Sequence, residues 1–291
     1  MFKIGVISDE VSQDFQTVVD FATSFKLDSI EIRTVWGKPP QALSETDIGE
    51  MKRILKGTNL KIVGIASPFL KCDIDNKNER REHLNILKRC IKLAKALDTN
   101  LVRTFAFWKT DNTEERWPEI VAAYYEPVQI AERARVILGM ENEHSTSLAT
   151  AKLTERFVRE INSPNFRAIW DPANEAHADK DGEIPYPNAY HRLKTLMVHA
   201  HLKDARKNSA TGKIECVAVG EGTIDWHGQL QAFIDDGYRG HLCLETHWRP
   251  SLKIGDDQLN RPGGAEFSRA GEEASRQCMR NLLALIDQLH V

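Results

Sequence analysis

Eight short runs of apolar and β-branched residues recur from one end of the chain to the other, each followed by a longer stretch with helical periodicity. No other feature restricts the fold as strongly. Read as strands, the runs are Lys3 to Ser8, Ser29 to Arg33, Lys61 to Ser67, Leu101 to Phe105, Val136 to Glu141, Phe166 to Asp171, Leu196 to Lys203 and His241 to Glu245. Such alternation is the signature of repeated βαβ units and a parallel sheet. Helical windows lie at Asp14 to Phe25, Asp47 to Lys56, Arg80 to Leu97 and Pro118 to Arg135, and others follow strands five, seven and eight, the last from Glu272 to Leu289. In the third window Leu84, Leu87, Cys90, Ile91, Ala94 and Leu97 make one apolar stripe, a face that packs on a sheet. The segment after strand six is loop-rich, with a short helix near Tyr190. Eight such units in 291 residues predict an α/β fold, a single (β/α)8 TIM barrel spanning 1–291 as one domain, because open doubly wound sheets usually have fewer strands.

Two stretches stand outside this rhythm. Pro250 to Ala270 is rich in Gly, Pro, Asp and Arg, and reads either as a functional loop over the barrel mouth or as a solvated connection. Gly220 to Gly222 is a weak phosphate-loop signal without a following Lys-Ser/Thr, and reads better as a tight entry to the seventh helix, with Asp225 near its N-terminus.

A formal net charge of −3 and a pI near 6.4 give no positive field for nucleic acid or an anionic membrane surface. No apolar run approaches a membrane span, and the N-terminus runs into a strand with no small-residue cleavage site, so the expected location is cytoplasmic. The five cysteines, Cys72, Cys90, Cys216, Cys243 and Cys278, are scattered and odd in number, which argues against a disulfide framework.

Chemistry concentrates where consecutive strands end. Strand five closes on Glu141, Asn142, Glu143 and His144; strand six on Asp171, Pro172 and Asn174; strand seven carries His199, His201, Lys203 and Asp204; strand eight closes on Glu245 and His247. The C-terminal rim is where barrel enzymes assemble their sites. Side chains alternate along a strand, so His199, His201 and Lys203 share one face, with His201 nearer the rim of the two histidines. Three carboxylates and an imidazole converging at one rim would repel and be poorly solvated without a cation, and oxygen-rich ligation with one nitrogen suits Mn²⁺, Mg²⁺, Co²⁺ or a catalytic Zn²⁺.

The order Glu141–Asn142, Asp171–Pro172 with Asn174, His199 to Asp204, Gly220 to Trp226 and Leu244–Glu245–Thr246 resembles the sugar phosphate isomerase/epimerase family, the xylose isomerase-like barrels, over essentially the whole chain. The resemblance implies one divalent metal ion on Glu141, Asp171, His201 and Glu245, with Glu141 and Glu245 also the catalytic acid/base pair. It further implies a small ketose or keto-sugar substrate. Chelation of a carbonyl and its neighbouring hydroxyl would stabilise an enediolate, and return of the proton to the opposite face gives epimerisation, to the neighbouring carbon isomerisation. Family barrels are often dimers or tetramers, so a homo-oligomer is compatible with the resemblance.

His144, Lys203 and His247 are candidates for binding substrate or orienting a ligand carboxylate. Asn174 stands where some relatives carry a histidine that contacts substrate or a second metal, which counts against a multinuclear site here. Asp9, Glu10, Glu31 and Arg33 either reach substrate from the far side of the mouth or, for Glu31 and Arg33, pair inside the barrel. Phe105, Trp108 and Trp170 are pocket walls or core.

The main rival is a metal-dependent dehydratase or lyase acting on a keto-cyclitol, a dehydroshikimate-like acid or a 3-keto-glycoside. An apurinic-site endonuclease would need further histidines at the ends of strands three and four, where Ala66–Ser67 and Thr104–Phe105 stand. A non-catalytic sugar-binding barrel would usually have lost a ligand.

Overall fold

A computed structural model describes residues 1–290. Its strands are β1 (Lys3–Ile7), β2 (Ser29–Ile32), β3 (Lys61–Ile65), β4 (Leu101–Thr104), β5 (Ile137–Glu141), β6 (Phe166–Trp170), β7 (Met197–Leu202), β8 (Asp204–Lys207), β9 (Ile214–Val217) and β10 (His241–Leu244). All pairings among β1 to β7 and β10 are parallel, and the sheet closes in the order β1-β10-β7-β6-β5-β4-β3-β2. This is the expected barrel, each of its eight strands overlapping an expected run.

Alternation sorts the strands' side chains between two environments. Val6, Ile30, Val102, Leu138, Ala168, Ala200 and Leu244 face outward into the main apolar cluster beneath the helices. The other parity carries Glu31, Arg103, Glu141, His199 and His201, all buried, into the barrel. The helix Lys77–Ala96, which covers the third expected window, is capped by Asn76, whose side chain accepts from Asn78 and Glu79 N–H, an arrangement contributing about 1 kcal/mol. Of the expected stripe Leu87, Cys90, Ile91, Ala94 and Leu97 are buried, and Leu84 is half-buried.

Three details differ from the sequence reading. The helix expected from Pro118 to Arg135 is two, Thr113–Ala122 and Tyr125–Ala134, because Pro127 lacks the N–H that would continue the ladder to Ala123. The break lets Tyr124 turn inward, where its hydroxyl lies 2.6 Å from Thr104 Oγ1. The stretch Pro250 to Ala270 is not plain loop but contains the short helices Asp256–Asn260 and Gly264–Ser268. An antiparallel hairpin, β8–β9, leaves the rim directly after β7.

Asp204 holds the base of that hairpin. Its Oδ2 accepts Gly220 N–H at 2.8 Å and Gly222 N–H at 3.1 Å. A Cβ on Gly222 would lie 1.9 Å from Asp204 Oδ1, so only glycine fits there. The motif is therefore a tight entry to the helix Trp226–Asp235, which Asp225 caps by accepting from Gly228 N–H. Among the described residues no helix is long and apolar enough to cross a membrane.

Candidate metal centre and substrate cavity

Glu141, Asp171, His201 and Glu245 sit at or just beyond the ends of four neighbouring strands, β5, β6, β7 and β10, and each is buried. One ligand atom from each lies within 4.8 Å of all the others. Asp171 does two jobs here. Its Oδ1 caps the short helix Pro172–His177, accepting from Ala173 N–H at 2.8 Å and Asn174 N–H at 3.0 Å, with proline at the first helical position. Its Oδ2 is buried and accepts no aligned hydrogen bond, although Lys203 Nζ lies 2.9 Å away. Turn initiation and ligation are thus compatible at one residue.

The histidine is oriented from behind. Glu31 Oε2 lies 2.9 Å from His199 Nε2 and 3.0 Å from His201 Nε2. The two imidazoles outweigh burial and hold the Glu31 carboxyl well below the usual carboxylate range, so it is ionised and can only accept. Both Nε2 atoms must then donate, which leaves His201 Nδ1 turned toward Glu141 Oε1 at 2.9 Å and Glu245 Oε2 at 3.7 Å. Glu31→Gln should consequently weaken binding of a divalent ion by about 10- to 100-fold, read by calorimetric titration of the metal-free protein. An unchanged Kd would remove Glu31 from this role.

Basic residues clamp the carboxylates. Arg33 reaches Asp9 at 2.8 Å, Glu10 at 2.6 Å and Glu245 at 2.5 Å. Arg103 lies 3.1 Å from Glu141 and 3.7 Å from Glu245, Lys203 lies 2.8 Å from Glu245, and Arg249 lies 3.4 Å from Glu10. Burial alone would raise the Glu245 carboxyl, but Lys203, His247, His201 and Arg33 hold it well below the usual carboxylate range. Asp171 moves the other way, up to about 6, because burial and the Glu245 and Glu141 charges outweigh Lys203.

These residues fit a divalent cation by charge as well as by geometry. The linked network contains six carboxylates (Asp9, Glu10, Glu31, Glu141, Asp171, Glu245) and four fixed cations (Arg33, Arg103, Lys203, Arg249), a balance of −2 when its imidazoles are neutral. Uncompensated buried charge is expensive, and one divalent ion closes this balance. His201 is held protonated by Glu141 and Glu31 against the effect of burial, so an ion ligating Nδ1 must displace a proton.

The four substrate-contact candidates His144, Asn174, Lys203 and His247 line one cavity of about 450 Å³, together with Glu143 and His177. His144 stacks on His177 with ring centroids 4.9 Å apart, and Asn174 Nδ2 donates to Glu141 Oε1 at 3.3 Å. Burial pushes His247 down to about 3 and His177 down to about 4, so both are neutral hydrogen-bonding rings. His247 also holds a left-handed backbone, φ 43°, a conformation rare outside glycine that clusters at functional sites.

Asp9 and Glu10 are partners of Arg33 rather than free to meet substrate, and Glu31 pairs inside the barrel. Trp170 is core, its indole N–H donating to Gln229 at 2.9 Å. Phe105 and Trp108 do lie toward the mouth, where Lys71 Nζ sits 4.4 Å and 5.9 Å from their ring centroids. The sequence reading did not single out Arg103, Lys71, His177 or Arg249. Arg103 left a signal, a lone charge in the otherwise uncharged Leu101–Thr104 strand; the other three did not.

Comparison with known proteins places these features in a wider group. A family model described as xylose isomerase-like TIM barrel matches residues 19–283. D-psicose 3-epimerase of Ruminiclostridium cellulolyticum is 22% identical over 266 residues, 85% of this chain and 83% of that protein. Among solved structures, the IOLI protein with a bound zinc atom superposes with a TM-score of 0.75 at 17% identity, covering 99% of both chains. The probable 3-DHS dehydratase AsbF from Bacillus anthracis superposes with a TM-score of 0.73 at 19% identity, over 99% of this chain and 100% of that one.

Proposed function

We propose, from the premise that this chain belongs to the xylose isomerase-like TIM barrel family, that it is a divalent-metal-dependent epimerase or isomerase of a small ketose or keto-sugar. The observation that carries this reading is the convergence of Glu141 and Glu245 with Asp171 and His201 within 4.8 Å, at a rim whose charge balance calls for one divalent ion. Mn²⁺, Mg²⁺, Co²⁺ and Zn²⁺ all suit this donor set. Bound there, the ion supplies Lewis-acid polarisation of a substrate carbonyl, which acidifies the neighbouring C–H.

The chain's own groups then move the proton. Glu245, kept ionised by Lys203 and Arg33, is ready to accept it. Glu141 reaches the site from β5, separated from β10 in the barrel by β6 and β7, and is the group that returns a proton from the other side. Arg103 and Arg33 hold these two carboxylates in place so that neither must reorganise during transfer. Lys203, Asn174, His144 and His247 bind the substrate's oxygens along the cavity wall. The five free cysteines, four of them buried, fit a reducing, cytoplasmic compartment.

Solvent deuterium tests the reading. Turnover in deuterated water should place deuterium at the carbon whose configuration changes, while an elimination, the lyase reading, should exchange that hydrogen or lose it together with a β-substituent. Product that retains every original hydrogen next to the carbonyl would mean hydride shift or hydrolysis, and would overturn the proton-transfer account.

A further inference from the structure

We infer that the cleft between the β8–β9 hairpin and the segment His247 to Leu259 is a second substrate subsite that receives the non-reacting sugar unit of a glycoside, an inference that rests on the keto-sugar reading above. The cleft encloses about 620 Å³ and opens into the cavity beside the metal centre. His177, Cys216 and His247 line both spaces, so they form one continuous trough.

Size points to more than one ring. The inner cavity of about 450 Å³ falls within the roughly 300–1,000 Å³ that buries a whole small ligand. A single sugar therefore leaves the outer space unused. Its wall is of mixed character: Ile214, Leu252, Ile254 and Leu259 are half-buried apolar side chains, and Trp248 lies beside them. Asn208 and Glu215 stand on the hairpin side of the cleft, joined to each other by a 2.8 Å hydrogen bond. Sugars present C–H faces and hydroxyl edges, and a cleft that pairs apolar surface with a few polar groups matches both.

The charges disfavour an anionic tail. Arg249 is spent on Glu10 and on the carbonyls of Trp248, Phe267 and Arg269, and Arg206, an exposed side chain, pairs through Nε with Glu215 at 3.2 Å. Lys213 and Lys253 remain, but as exposed, flexible side chains they form no bidentate clamp for phosphate or carboxylate. The hairpin wall is fixed at its base by Asp204 through Gly220 and Gly222, so the cleft does not depend on a ligand to form it.

Calorimetric titration of the metal-loaded protein tests this with unoxidised, non-reacting probes: glucose against cellobiose, maltose and sucrose. At least one disaccharide should bind tenfold or more tightly than glucose. Ile254→Trp and, independently, Leu252→Trp should fill the outer cleft and abolish that advantage while leaving the Kd for glucose unchanged. The inference is overturned if no disaccharide binds more tightly than glucose, or if both substitutions weaken glucose and disaccharide alike. Its failure is separable from failure of the proposed reaction. Deuterium exchange on a free keto-sugar without disaccharide preference defeats the subsite alone, whereas disaccharide preference without exchange on any keto-sugar defeats the reaction alone.

Discussion

Replacing Glu245 by glutamine is expected to lower kcat by at least about 10²- to 10⁴-fold, the usual contribution of one positioned acid or base, with a further loss from weakened metal binding. In free energy the proton-transfer part alone is about 3–5 kcal/mol of barrier. The amide has the shape of the carboxyl but cannot take a proton from carbon and brings no charge to the ion. The fold should survive. Removing one member of a buried ion pair costs about 3–5 kcal/mol when its partner is left stranded. Here Arg33 keeps Asp9 at 2.8 Å and Glu10 at 2.6 Å, and Lys203 keeps Asp171 at 2.9 Å. The variant should therefore unfold cooperatively with a Tm lowered by only a few degrees, and its circular dichroism spectrum should match that of the parent. Unchanged kcat in a folded variant would remove Glu245 from the reaction.

That prediction rests on residues legible in the amino-acid sequence itself. Glu141, Asp171, His201 and Glu245 each end or follow their own barrel strand, so eight local patterns and one fold rule suffice to bring them to the same rim. The period-2 alternation likewise places His199, His201 and Lys203 on one interior face of β7. What the sequence concealed depends on closure of the barrel. Arg33 meets Glu245 across 212 residues only because β1, flanked by β2 and β10, joins the two ends of the sheet. Glu31 orients His201 across the barrel's interior, a contact no spacing rule reports. The β8–β9 hairpin was hidden for a different reason. Its strands are four residues each, and Arg206 and Lys207 are exposed, so no hydrophobic alternation marks it. Its effect is considerable, because it supplies one wall of the outer cleft.

Metal removal should have the other large effect. Chelation is expected to reduce turnover to background, and a divalent ion should restore it, since Glu141, Asp171, His201 and Glu245 otherwise crowd three carboxylates around one imidazole. Stability should move with it. An ion present at about 1,000 times its Kd stabilises the folded state by about 4 kcal/mol, so the metal-free protein should melt several degrees lower, and the difference should grow with added ion.

The most direct test is to count the ion. Elemental analysis of the active protein should find about one divalent metal per chain, falling close to zero in a folded His201→Ala variant. That result follows from the proposed four-ligand centre, whose connected charges stand at −2 once the ion has displaced the His201 proton. Fully active protein containing no metal, or about three ions per chain, would contradict a mononuclear site and with it the chemistry assigned to this rim.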